Sequence, residues 1–262
     1  MIPKKIHYCW FGKGKKSQLA EDCIRSWKKF CPDYELIEWN EDNFDVSSNR
    51  YTMEAFKEKK WAFITDYVRL YALYNYGGIY MDTDVEVTKS LDRFLKNKAF
   101  SGFEDYDCIP TGIMASEKEN KWIKKLLDYY YDKSFYNDEG KPDLTTNVIT
   151  ITNLTKMNYP IILNNSLQIF EDFTIYPKDF FCPKSYKTGQ IEITNNTHTI
   201  HHFLGSWMSD EEKKIKEYHQ ALYKYFPKKT VPILVGIIIT FKKEGMKGIF
   251  KKIKNKLCNK GC

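Results

Sequence analysis

The run WAFITDYVRLYALYNYGGIYMDTDVEV, residues 61–87, narrows the choice of fold more than any other part of the chain. Residues 61–76 are apolar nearly all round, the mark of a helix buried on every side. Gly77-Gly78 then stops that helix, and Ile79-Tyr80-Met81 has the short apolar character of a buried strand. The strand runs on into Asp82, Asp84 and Glu86 at alternate positions. Alternate side chains of a strand share a face. Tyr80, Asp82, Asp84 and Glu86 are therefore expected on one side, with Ile79, Met81, Val85 and Val87 on the other. Such a face is either a metal site or a solvated edge.

The remaining elements follow the same α/β logic. Residues 2–11 read as a first strand, Ser17 caps a helix to about residue 30, and 34–39 is a short second strand ending in Asn40-Glu41-Asp42-Asn43. A helix around 53–60 precedes the buried one. Strand, helix, strand, helix, strand in that order predicts right-handed crossovers and a mostly parallel sheet flanked by helices. Further on, 100–103 suits a strand and 119–131 a helix. Residues 135–147 are polar and loop-like, and 148–152 are apolar and β-branched. The span 160–200 reads as short strands and turns, and Ser209 with Glu212 forms a capping box for a helix to residue 226.

Two charged residues, Asp66 and Arg69, interrupt the buried helix. Pattern alone favours an i, i+3 salt bridge that satisfies itself; the alternative is a pair aimed at a ligand. The Asp82–Asp84 pair stands near the carboxyl end of the third strand, where open α/β sheets bind ligands, and acidic residues are poor strand formers. Hard oxygen donors suit Mg²⁺ or Mn²⁺ with phosphates completing the shell. Parallel neighbours bring the end of the first strand, Tyr8-Cys9-Trp10-Phe11-Gly12, into the same crevice. An aromatic there can stack on a base or belong to the core. The stretch THTIHHFLGSW, residues 197–207, supplies His201 and His202 in a chain with five histidines. Adjacent strand residues face opposite ways, so one of the two at most ligates.

Together, IPKKIHYCWFG (2–12), the 61–87 block and IHHFLGSW (200–207) resemble glycosyltransferase family 32, the enzymes with a DXD-containing sugar-binding region. Relatives include bacterial capsule transferases, yeast-type initiating mannosyltransferases and clostridial toxin glucosyltransferases. The resemblance implies a GT-A fold, a Rossmann-like nucleotide-binding domain, with a nucleotide-sugar donor (UDP favoured) and Mn²⁺ or Mg²⁺. It implies that Asp84 ligates the metal, that Asp82 contacts the ribose or a metal-bound water, and that Asp66 and Arg69 hold the donor sugar, reversing the private salt bridge. It implies Trp10, with Tyr8, against the base and Trp207 near the diphosphate. His201 or His202 would complete the metal site, with His202 preferred. The implied reaction is retaining hexosyl transfer to a glycan acceptor in surface polysaccharide synthesis. Glu104, Asp105 and Asp107 border the expected sugar site but read as surface loop charges.

Charge divides the chain. From Lys228 onward ten lysines face one acid, a net +9, whereas residues 1–227 carry 31 basic and 33 acidic side chains. A near-neutral body argues against a nucleic-acid-binding core. The expected organisation is a GT-A domain over 1–227 and a basic tail over 228–262. Within the tail, 231–240 is too short to span a bilayer. Met246, Ile249, Phe250, Ile253 and Leu257 follow helical spacing among lysines, as in a helix lying on an anionic membrane surface. A lipid-linked acceptor would suit that placement. The start of the chain lacks a secretory signal pattern, and seven scattered cysteines suit a reducing compartment, so the expected location is cytoplasmic, on the inner face of the cell membrane. The rival readings are a non-catalytic nucleotide-sugar or metal-binding module and an aspartyl phosphohydrolase. The second usually carries its D-x-D on the first strand and a Thr or Val where this chain has Glu86.

Overall fold

A computed structural model of the chain describes all residues except Tyr106, Pro110, Thr111, Trp207, Lys228 and 259–262, with 249–258 described by backbone alone. The chain divides into two compact units, Met1–Lys184 with Ile191–Trp207, and Ser185–Gln190 with Met208–Cys262. In the first unit, β1 (Lys5–Cys9), α1 (Gln18–Phe30), β2 (Glu35–Trp39), α2 (Arg50–Lys57), α3 (Trp61–Tyr76), β3 (Gly78–Met81) and β4 (Val85–Val87) follow in chain order. They are succeeded by β5 (Ala99–Gly102), β6 (Ile113–Ser116), α4 (Lys121–Asp128) and α5 (Asn147–Asn158). The unit closes with β7 (Gln168–Ile169), β8 (Thr174–Tyr176), α6 (Lys178–Phe181) and β9 (Thr199–His201). The second unit holds α7 (Asp210–Tyr223) and α8 (Val231–Cys258).

Among the described residues the main sheet has seven strands in the order β2-β1-β3-β6-β5-β8-β7. β2, β1 and β3 are parallel neighbours, β6 runs against them, and β5 and β8 resume the first direction. Five of the seven strands thus point one way, with β6 and β7 reversed. The mostly parallel, helix-flanked sheet expected of a GT-A fold is the one the chain forms. Its two faces carry separate cores, as strand alternation requires. Ile79 and Met81 of β3 pack with Trp27 of α1, Phe100 and Ile113, whereas Tyr80 packs with Val68, Leu70 and Leu73 of α3 and with Met114 and Trp122.

The glycine pair after α3 makes the reversal into β3 possible. Gly77 closes the helix at φ 64° and Gly78 follows at φ 117°, backbone that L side chains rarely adopt. A Cβ on Gly78 would stand 2.9 Å from the Lys5 carbonyl oxygen, so strand β1 lies against bare backbone there. Ser17 caps α1 as expected, accepting from the Ala20 N–H.

One local reading changes. The third strand ends at Met81; Asp82-Thr83-Asp84 is a turn, closed by the Val85 N–H donating to the Asp82 carbonyl at 3.0 Å, and the chain resumes as β4 in a separate two-stranded sheet with β9. Tyr80, Asp82, Asp84 and Glu86 therefore do not share one continuous strand face. The β-branched run 148–152 lies inside α5, whose buried positions Asn147, Ile151, Thr152 and Thr155 recur with helical spacing. Packing of that face outweighs the intrinsic β preference of Val, Ile and Thr.

In the second unit, Ser209 and Glu212 form the expected capping box at the start of α7. Helix α8 is interrupted at Gly245, whose φ of 64° is not helical. Among the described residues no helix is long and apolar enough to cross a membrane.

Candidate active site

Helix α3 delivers Asp66 and Arg69 to the carboxyl end of β3, where both are buried. Burial of a guanidinium demands partners, and Arg69 has several. Its Nη2 lies 3.5 Å from Asp66 Oδ1 and 3.2 Å from Asp82 Oδ1, and its Nε donates to the Thr65 carbonyl at 3.2 Å. The guanidinium also lies over the Tyr80 ring, 4.6 Å from its centroid, and the Tyr80 hydroxyl donates to Asp82 Oδ1 at 3.0 Å. The Asp66–Arg69 pair is therefore not private: Arg69 is a bridge from the helix to the D-x-D turn. Burial pushes the Asp66 carboxyl up to about 7 even against the Arg69 charge.

The D-x-D turn is pinned at both ends by distant chain. The Asp82 N–H donates to the Gly112 carbonyl at 2.9 Å. Pairing of β4 with β9 sets Val85 opposite His201 and Val87 opposite Thr199. After β9 the backbone turns through Phe203 (φ 58°) and Gly205 (φ 66°). For a phenylalanine the left-handed conformation costs on the order of 1–3 kcal/mol and persists only where its surroundings impose it. That turn directs the Leu204 N–H to Asp84 Oδ2 at 2.6 Å, while His201 Nε2 stands 3.5 Å from Asp84 Oδ1. Burial alone would raise the Asp84 carboxyl; the His201 charge and the Leu204 N–H outweigh it and bring it down to about 2.

Asp82, Asp84 and His201 each offer one ligand atom, and these atoms lie within 4.8 Å of one another. Donors that share a cation at about 2.0–2.4 Å stand roughly 3 Å apart when adjacent and up to about 4.8 Å when opposite, so the set can accept a single divalent ion. Two carboxylates and one imidazole suit such an ion, and the 3.5 Å between His201 Nε2 and Asp84 is long for a hydrogen bond but ordinary for two ligands of one metal. The other ring nitrogen, Nδ1, is buried beside the Cys182 thiol and makes no hydrogen bond of ordinary geometry with any described residue. The ring also rests on Gly112, where a Cβ would meet Nδ1 at 2.9 Å.

His202, the histidine preferred from sequence, lies elsewhere: its Nε2 is 2.9 Å from Glu86 Oε2, and its N–H donates to the Asp84 carbonyl. Adjacent residues leave β9 in opposite directions, and it is His201 that turns toward the acidic pair. Glu86 pairs with His202 and is not part of the cluster that Asp82 and Asp84 form. Along β1, Ile6 and His7 are level with Ile79 and Tyr80, so Cys9 comes level with Asp82 and Trp10 lies just beyond. The Tyr8 hydroxyl donates to Glu38 Oε2 at 2.9 Å, beside the Trp27 ring, and Lys16 reaches the same carboxylate at 2.7 Å. Trp10 is half-buried and donates through Nε1 to the Gly14 carbonyl at 2.6 Å. Trp207 lies outside the described residues.

Two residues that sequence reading missed, and one it took for a surface loop charge, join this site. Asn147, the first residue of α5, is buried beside Asp66, yet neither amide atom makes a well-formed hydrogen bond with any described residue. A buried amide left open in this way is poised for an external partner. Gly112 holds Asp82 through its carbonyl and His201 through its missing side chain. Glu104 is partly buried, and burial raises its carboxyl within the fields of His201, Asp82 and Asp84, so it is not a free surface charge. Asp105 pairs with Lys178 at 3.8 Å, and Asp107 is exposed. The run TTN at 145–147, polar residues entering a helix, was the one local hint of Asn147.

Residues 17–101, which include Asp66, Arg69, Asp82 and Asp84, match the family model described as the glycosyltransferase sugar-binding region containing the DXD motif. Over those residues the chain is similar to the DXD-containing region of glycosyltransferases. Inositol phosphoceramide mannosyltransferase 3 of Schizosaccharomyces pombe is 27% identical over 134 residues, covering 48% of this chain and 36% of that protein. Mannosyl phosphorylinositol ceramide synthase CSH1 of Saccharomyces cerevisiae is 26% identical over 145 residues, covering 52% of this chain and 38% of that protein. The matches therefore span little more than a third of the length of these curated relatives. The solved structure of PaToxG glycosyltransferase aligns with a TM-score of 0.46 at 19% identity, covering 61% of this chain and 70% of that chain.

Proposed function

We propose that the chain is a metal-dependent, retaining hexosyltransferase that uses a nucleotide sugar, a UDP-sugar, to extend a glycan acceptor. One observation carries the reading: the Asp82–Asp84–His201 cluster and the buried Asp66–Arg69 pair meet at one place, joined through the Arg69–Asp82 contact of 3.2 Å. A site with cation ligands on one side and polar groups suited to hydroxyls on the other fits a sugar diphosphate. Asp82, Asp84 and His201 would hold Mn²⁺ or Mg²⁺, which when bound offsets the charge of the donor diphosphate.

The chain's own groups do the positioning. Asp66, Arg69 and the open Asn147 amide supply acceptors and donors for the sugar hydroxyls, deep enough that water competes poorly. Trp10, half-buried at the end of β1, offers a face for the base. Transfer breaks the bond between the anomeric carbon and the diphosphate and forms one to the acceptor hydroxyl, whose proton passes to the departing phosphate. Fixed orientation of both partners lowers the barrier to that exchange. The printed names of the relatives, which act on inositol phosphoceramide, support a lipid-linked acceptor and mannose among the candidate hexoses. A lipid-linked acceptor in turn supports a role in surface polysaccharide synthesis such as capsule formation, with the chain at the inner face of the cell membrane and its basic tail over 228–262 on the anionic lipid surface.

The test is a thermal-shift panel of UDP- and GDP-sugars with and without Mn²⁺. Stabilisation by at least one donor, dependent on the metal, is expected, followed by transfer with that donor. Stabilisation by none overturns the donor assignment, and binding without transfer or hydrolysis over long incubation turns the reading toward a binding module.

A further inference from the structure

The second unit has a charge and a surface that the site does not use. It carries fifteen lysines against five carboxylates, a net +10, whereas the remainder of the chain carries 26 basic and 29 acidic side chains. Within it, α7 and α8 pack on each other, and Val231 and Val235 are buried. Three large apolar residues of α8 ahead of Gly245 are not: Ile233 is 60% exposed, Ile237 44% and Phe241 52%. Spacings of four place them one above another on a single edge of the helix. Tyr225 and Phe226, in the turn leading into α8, are exposed as well.

Single exposed apolar residues need no explanation, but an ordered row of them on the most cationic part of a chain does. An acidic protein or a nucleic acid would match the lysines and leave Ile233, Ile237 and Phe241 without a partner. An anionic bilayer matches both, taking the apolar edge below the headgroups and the lysines at their level. We propose that Ile233, Ile237 and Phe241 form the lipid-inserting edge of an anionic-membrane docking surface carried by the second unit. This rests on the membrane-surface reading above and moves its apolar contact upstream. Sequence spacing pointed to Met246 and the residues after it. Met246 is exposed beyond the break at Gly245, and the side chains of 249–257 lie outside the described residues.

The test is sedimentation of the full chain with vesicles of phosphatidylglycerol and phosphatidylcholine, comparing the native chain with the double variant Ile237→Ser, Phe241→Ser and the single variant Phe241→Ser. The native chain is expected to co-sediment, and part of the binding should survive salt that screens lysines. The double variant should lose about tenfold or more in partitioning, and the single variant less, with melting temperatures unchanged because both side chains face solvent. Native binding with variants that bind equally well overturns the inserting edge and leaves the membrane reading standing on the lysines alone. No native binding to anionic vesicles overturns both. If the double variant is misfolded, the single variant and the salt dependence decide the same question.

Discussion

Replacing Gly112 by alanine tests whether the cluster is assembled by packing. A Cβ at this position would lie 2.9 Å from His201 Nδ1, 3.1 Å from Cγ and 3.2 Å from Cε1. All three distances are shorter than ordinary carbon contacts of about 3.5–4.0 Å, and all three atoms belong to one rigid ring. That ring has little freedom to retreat. It sits 4.2 Å from the Phe203 ring and is held at the end of β9 by the pairing with β4. Several tenths of an ångström must be absorbed by moving the imidazole or the Gly112 backbone, whose carbonyl anchors Asp82. Either route disturbs a proposed ligand. Overpacking of this kind costs roughly 1–3 kcal/mol, a fall of about 2–12 °C in melting temperature for a domain of this size. Loss of ligand orientation typically weakens metal binding about 10–100-fold. Calorimetric titration with Mn²⁺ and thermal melting of G112A against the native chain read both quantities. Unchanged Mn²⁺ affinity together with unchanged melting would show that the ring is not wedged against Gly112, and the packing argument would fall.

Asp84→Asn keeps an oxygen for the Leu204 N–H, so the variant should fold normally while transfer falls by at least about a hundredfold; near-native turnover removes Asp84 as an essential ligand. His201→Ala should abolish the metal-dependent thermal shift, whereas His202→Ala, which breaks only the partly exposed pair with Glu86, should change it little; equal effects would refute the division between the two histidines. Asp66 titrates near 7 when folded and near 4 when unfolded, so its burial penalises folding above pH 7 and not below pH 4. Asp66→Asn should therefore raise stability by a few kcal/mol at pH 8, with the gain shrinking toward pH 4 while donor affinity is lost; a gain equal at both pH values would contradict the burial argument. Asn147→Leu should leave stability unchanged or raised, since an unsatisfied buried amide is removed, yet weaken nucleotide-sugar stabilisation; donor binding as in the native chain would exclude the amide from the sugar site.

The buried helix, its glycine stop, the strand after it and the Asp82–Asp84 pair were legible in the sequence because each leaves a local trace. An unbroken apolar surface, a Gly-Gly stop and acids against strand propensity all operate within a few residues. Asp66 and Arg69 stood out for the same reason, as the only charges on a helix with no polar face. Their meaning was not local: the choice between a private pair and a ligand site turned on Asp82, which approaches Arg69 only when β3 lies beside α3.

Long-range closure decided the rest. His201 and His202 are neighbours with the same side chain, and only the β4–β9 register, joining segments more than a hundred residues apart, turns one toward Asp84 and the other toward Glu86. Gly112, Asn147 and Glu104 carry no spacing or charge pattern that separates them from turn or loop residues; they matter because the sheet order places β6 beside β3 and α5 beside Asp66. The sequence alone determined which chemical groups the chain possesses and which of them must be buried. The tertiary structure determined which of those groups meet, because burial and periodicity act along the chain, whereas a ligand set depends on the register between strands distant in it.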